Sequence, residues 1–250
     1  MKLAATTLSN TLLIVVLTWS SLPAAPPVKP ELLTFSYIEG SITQHEAFKV
    51  LEEAYRRLGI SVRAEILPAE RAVQTAGAGV TSGEVARLEG LEISYPDLVR
   101  IPEQLITMRV MAVTTGLIFK IDGWDSLRPY VLCYTHGIKV FEQGTAGMSR
   151  LPATNGEHTL KLLRQGHCDM AILDFRSWLI IDRMNAGPLR ELEPLVTTIP
   201  LFHYLNRSYA KLVPMVTEEL RKMREEGVIQ AILMPGEDAV LAAKARQSMP

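Results

Sequence analysis

Apolar residues along this chain recur with two periods that alternate from segment to segment. Residues 32–37 (LLTFSY) form a short apolar and aromatic run, read as a strand. Ala47, Leu51, Ala54, Tyr55 and Leu58 then recur at helical spacing, with Glu46, Lys49, Glu52, Glu53, Arg56 and Arg57 between them. Gly59 closes that helix. Residues 61–67 alternate as a second strand, stopped by Pro68, and a helix over 69–78 and a strand over about 82–88 follow. This β-α-β-α-β order predicts a parallel sheet covered by helices.

After a longer apolar strand at 105–116 the pattern begins again. A strand at 130–137, a helical turn at 138–143 and a strand at 149–154 lead to a helix, a small apolar strand ending at Asp174, and a third helix at 175–184. A second long apolar strand at 195–205 precedes an amphipathic helix carrying Tyr209, Leu212, Val213, Val216, Leu220 and Met223 on one stripe, ended by Gly227. The stretch GEHTLKLLRQGHCDMAILD (156–174) has a weaker copy in AERAVQTAGAGVTSGEVARL (69–88), with Ser82 where the later copy has Asp169. The expectation is α/β: two Rossmann-like lobes joined by two hinge strands, placed at 113–117 and 196–200. Residues 26–115 plus 200–250 form one lobe and 116–199 the other.

Composition narrows the function classes. With 26 basic and 27 acidic side chains the net charge is −1, which gives no general attraction to nucleic acid. Residues 1–25 have Lys2, an apolar run from Leu12 to Trp19 and then small residues, the layout of a cleaved signal peptide. The run is too short to span a bilayer, and no cysteine at the junction offers a lipid anchor. The expected location is the periplasm, with the mature chain starting near residue 26. Cys133 falls mid-strand and Cys168 just before a parallel neighbour, an offset of about 13 Å along a strand. Two free thiols are therefore expected.

No His or Cys pair has metal-ligand spacing, so no metal is expected. Nucleophile-elbow, P-loop and dinucleotide glycine motifs are absent from the sequence, and no cofactor or catalytic residue is assigned. What remains is a set of residues at the carboxyl ends of predicted strands, where open α/β sheets hold ligands. These are Tyr37, Glu39, Glu70, Arg71, Arg87, His136 and Asp174. The plain alternative for each is a solvated loop charge. Arg87 and Asp174 stand apart because each directly follows an apolar strand. Trp178 is read as core, and Glu84 and Glu157 as charges away from these edges.

The motifs EAYRRLGI, ILPAERAV, GEVARLEGLE and YPDLVRIPE, with GWDSLRPY, VLCYTHGIK and TLKLLRQGHCDMAILD, occur here in order. Over about residues 31–235 the chain resembles the extracellular solute-binding proteins of family 3, the type II periplasmic binding proteins of polar amino-acid ABC transporters. The glycine-aromatic-Asp-x-Asp-Leu signature common in that family is replaced here by SYIEGSITQHEAF. The resemblance implies a monomer that closes on a small polar, carboxylate-bearing, amino-acid-like solute and delivers it to an ABC permease. Arg71 and Arg87 would hold the anionic group, Asp174 a cationic or hydroxyl group, and Tyr37 the ligand body. Two other roles suit the same scaffold: a small-acid dehydratase using Glu39, Glu70 or Asp174, and a sensory module.

Overall fold

Strand β1 (Leu32–Ile38) pairs in parallel with β2 (Ser61–Leu67) from Leu32↔Ser61 to Ile38↔Leu67. Both faces of β1 are covered. Leu33, Phe35 and Tyr37 alternate onto the side packed by Val50, Leu51, Ala54 and Tyr55 of helix α1 (Ile42–Arg57). Ser36, on the opposite face, is fully buried and donates to the Ala72 carbonyl of α2 (Ala69–Gly77) at 2.9 Å. Burying each large apolar side chain contributes about 1.5–3 kcal/mol, so α1 and β1 hold each other in place. Ser41 caps α1 by accepting from the Gln44 amide, and Gly59 ends the turn after it with φ of 72°.

The structure is a computed structural model that describes residues 30–247. The expected signal peptide lies outside the described residues. The chain continues through β3 (Gly83–Arg87), α3 (Leu91–Ser94), β4 (Leu98–Thr114), β5 (Leu132–Thr135), α4 (Lys139–Gly144), β6 (Arg150–Ala153) and α5 (Gly156–Arg164). Then come β7 (Met170–Asp174), α6 (Trp178–Arg183), β8 (Arg190–Asn206), α7 (Val213–Glu225) and α8 (Val228–Gln247).

The eight strands run in the order β2-β1-β3-β8-β4-β7-β5-β6. At the centre β4 and β8, each of 17 residues, form a long antiparallel ribbon from Leu98↔Asn206 to Thr114↔Arg190. One end of the ribbon takes β3 on its β8 side (Gly83↔Leu205), and the other takes β7 on its β4 side (Val110↔Asp174). Only Ile106–Arg109 opposite Thr198–Leu201 is bound by neither flank. The outgoing crossing therefore lies earlier than residues 113–117, because Val113 already pairs with Ala171 of β7.

Two features depart from expectation. Cys133 and Cys168 form a disulfide with Cα atoms 5.7 Å apart. The offset along the strand is real, since Cys133 stands opposite Ala171. Cys168 is not in the strand, however. It sits in the turn that leaves α5 and shares a buried cluster with Cys133, Leu160 and Leu163. The bond runs from the sheet toward the helix layer, a direction that a distance along the strand does not measure. Helix α8 is the second departure. It carries Pro235 and Gly236 in its middle, residues that ordinarily interrupt a helix. Ile229 packs in the core cluster around α1, whereas Val240 and Ala243 pack in the cluster around Trp178 and Ile181. Between them Glu237 pairs with Arg109 of β4 and with Arg176.

Candidate functional site: the cleft between two strand edges

The carboxyl ends of the parallel strands face each other. From one side, β1 ends at Ile38, β3 at Arg87, and β2 leads through Pro68 into α2. From the other, β5 leads through Gly137 into α4, and β7 ends at Asp174. The edges touch. A Cβ on Gly137, whose φ is 81°, would stand 2.7 Å from the Ala69 Cβ, so only glycine permits this approach. Lys139 Nζ lies 2.9 Å from Glu70 Oε2 and ties α4 to α2.

Three cavities adjoin in this closed cleft, and Ile38 lines all of them. The main cavity, of about 140 Å³, is walled by Ile38, Arg87 and Tyr95, by Met108 and Leu201 of the ribbon, and by Lys139. A smaller one of about 50 Å³ is lined by Thr43, Asp174 and Arg176. Glu39, Glu70 and His136 line a more open trough.

Arg87 is 6 % exposed and Glu84 is 0 % exposed. The Arg87 Nη2 donates to Glu84 Oε1 at 2.7 Å and to the Ala69 carbonyl at 2.9 Å. Burial pushes the Glu84 carboxyl up, and the Arg87 guanidinium opposes that rise. Behind the pair, His203 Nδ1 lies 2.7 Å from the Glu84 carbonyl and its Nε2 lies 3.0 Å from the Tyr55 hydroxyl. Burial lowers His203 to about 4, so the ring is neutral near pH 7. A neutral ring beside a carbonyl donates from Nδ1 and accepts from Tyr55 at Nε2.

Lys139 and Glu70 stabilise each other's charged forms. The Lys139 ammonium lowers Glu70, helped by the Tyr95 hydroxyl at 2.8 Å, and Glu70 raises Lys139. Asp174 is half-buried and fully engaged. Its carboxylate accepts from the Arg176 amide at 2.9 Å, capping the turn 175–177, and from the Thr43 hydroxyl across the cleft. Burial raises its pKa against these bonds.

The seven residues expected at the site thus fall in different places. Glu70 and Arg87 stand on either side of Tyr95, close to the main cavity. Asp174 lines the neighbouring cavity, and exposed Glu39 lies at its mouth. His136 is exposed and lies 2.9 Å from Glu142 Oε1. Arg71 is exposed and lines none of the three cavities. Tyr37 also lines none of these three, because its place in the alternation of β1 turns it onto Phe48 of α1, ring centroids 6.1 Å apart. Glu84, read as remote from the edges, is the partner of Arg87. Lys139, Tyr95 and Met108 were not singled out. Lys139 had a local signal in the strand-then-glycine run VLCYTHGIK.

No protein-family model matches the chain. An uncharacterized protein of Shewanella oneidensis is 25% identical over 189 residues, 72% of each chain. The structure is similar to the substrate-binding protein of an amino acid ABC transporter, with a TM-score of 0.65 and 9% identity over 81% of this chain and 97% of that one. It is also similar to a histidine kinase sensor domain that itself resembles periplasmic binding proteins. There the TM-score is 0.67 and the identity 14%, over 82% of this chain and 95% of that one. The fold is that of the type II periplasmic binding proteins, and these structural neighbours are binding proteins rather than enzymes.

Proposed function

We propose that this chain is a periplasmic solute-binding protein that closes its two lobes around a small polar solute and delivers it to an ABC permease. The observation that carries the reading is the main cavity, whose wall takes residues from both strand edges and from both crossing strands. A solute there touches every part that closure moves, and that differential contact is what favours the closed form. In this reading residues 26–115 with 200–250 act as one lobe and 116–199 as the other, with α8 touching both. The Cys133–Cys168 disulfide supports an oxidising compartment, as does the N-terminal stretch 1–25. Among the described residues no helix is long and apolar enough to cross a membrane. The resemblance adds a monomeric state, a route that does not pass through a lipoprotein, and an amino-acid-like, carboxylate-bearing solute.

Sensing is the second reading, favoured by the likeness to a kinase sensor domain. A dehydratase is not supported, because Glu70 and Asp174 are both held by partners and neither is free to move a proton. The test is a thermal-shift screen of residues 26–250 against small solutes, followed by interlobe distance measurement with each hit. A hit raises the melting temperature by mass action, shortens the interlobe distance and is recovered unchanged. Consumption of the hit would move the protein to the enzymes. Co-purification with a permease rather than a kinase separates transport from sensing.

A further inference from the structure

Every charged side chain on the wall of the main cavity already has a partner of opposite sign. Arg87 pairs with Glu84 at 2.7 Å, Lys139 with Glu70 at 2.9 Å and Glu142 at 3.2 Å, and Glu89 with Arg100 at 2.8 Å. No carboxylate remains for a ligand ammonium, and no cation remains for a ligand carboxylate. Asp174, the acid that strand position offers to an ammonium, lies in the neighbouring cavity beyond Ile38, Met108 and Ile138, which line both. It is tied there to Thr43 and the Arg176 amide.

Hydrogen-bond donors do remain. The bonds that Arg87 makes all leave from Nη2, and its Nε is buried with no partner among the described residues. The Gln44 amide beside it is closed off, donating to the Ala86 carbonyl and accepting from the Ile38 amide, both at 2.7 Å. Much of the remaining wall is apolar, with Leu88, Met108, Val140 and Leu201 prominent. Such a wall offers hydrogen bonds without net charge. Burying an ion there leaves it without a counter-ion, which is far costlier than burying a carbonyl that accepts a hydrogen bond. A volume of about 140 Å³ holds roughly ten water-sized groups.

We infer that the cavity takes an uncharged solute with a short apolar body and one carbonyl-type acceptor facing Arg87, such as an aliphatic primary amide, and rejects the amino acid of the same body. The inference rests on the solute-binding reading and departs from the amino-acid-like solute that the family resemblance implies. Three probes share one body and differ only at the head: pentanamide, pentanoate and norvaline. Calorimetric titration of residues 26–250 at millimolar concentrations gives saturable binding of pentanamide. Pentanoate and norvaline bind at least about tenfold more weakly, each bringing a charge that the wall does not match.

Two variants sharpen the result. Arg87→Lys keeps the charge opposite Glu84 but removes the planar fork, and it weakens pentanamide roughly tenfold. Gln143→Glu, on an exposed position of the same wall, supplies the missing acid without touching the core and improves norvaline binding. Norvaline or pentanoate binding as tightly as pentanamide to the unmodified protein overturns the inference and leaves the solute-binding reading standing. Failure of all three probes also overturns it, and the wider solute screen then decides the solute-binding reading by itself.

Discussion

Arg87 and Asp174 occupy matching positions, each the last residue of a buried strand, one on either edge of the cleft. Their surroundings make them different. Arg87 is backed by a sealed polar stack of Glu84, His203 and Tyr55, and it still turns unused donors toward a cavity. Asp174 uses its oxygens at once, one to cap the following turn and one to hold Thr43 of the opposite edge. A strand-end charge is therefore a place, and its role follows from how many of its hydrogen bonds the protein has already satisfied.

The largest effect expected from this contrast is on stability. Arg87→Ala leaves Glu84 as a buried acid without its partner and should cost about 3–5 kcal/mol in urea denaturation. The double variant Arg87→Leu with Glu84→Leu should recover most of that loss. A cost below about 1 kcal/mol for Arg87→Ala would make Arg87 a loose cleft charge and erase the contrast.

The next effect separates the stack from the clasp by pH. An unfolded histidine takes up a proton below its ordinary 6.5, whereas the folded His203 resists until about 4. The unfolded state binds more protons in that window, so stability falls as pH drops through it, by about 3 kcal/mol at the acid end. Glu84 and Asp174, raised by burial, act in the opposite sense, because their folded forms hold protons longer. His203→Gln keeps both carboxylates, so the difference between the two pH–stability curves isolates the histidine. Parallel curves would remove the stack from the account.

The smallest effect belongs to the clasp. Asp174→Ala should lower stability by about 1–2 kcal/mol through the lost cap, and Asp174→Asn by much less, read from thermal melts. Loss of solute binding with unchanged stability would show instead that the two strand ends are equivalent.

Much of the architecture was legible because its elements carry their own period. β1 and β2 alternate, α1 shows a clean stripe, and Gly59 and Gly227 take the left-handed conformation after their helices. The repeated helix, turn and strand announced two lobes. Less of the site was legible, since its partners are distant in sequence. Glu84 sits in a five-residue strand that is buried throughout, and its backbone meets His203 from 119 positions away. Nothing local marks such a glutamate as interior. Tyr37 was misplaced by its closeness to the strand end, although counting in twos from Leu33 puts it in the core. The disulfide escaped for a geometric reason, and α8 because its Pro-Gly pair reads as a break until Gly236 is found against Glu46 of α1.

The central ribbon also has a consequence for how this chain reaches its fold. β3, complete at residue 87, pairs on its inner side with a strand that ends at residue 206, and β4 waits for the same partner. Neither half of the sheet can close from its own stretch of sequence, so the contact order is high and folding is slow. An N-terminal fragment ending before Arg190 carries the unpaired edges of β3 and β4, an invitation to aggregate until β8 arrives. The molecule has no early-maturing half, and its chain stays threadable until synthesis is nearly done.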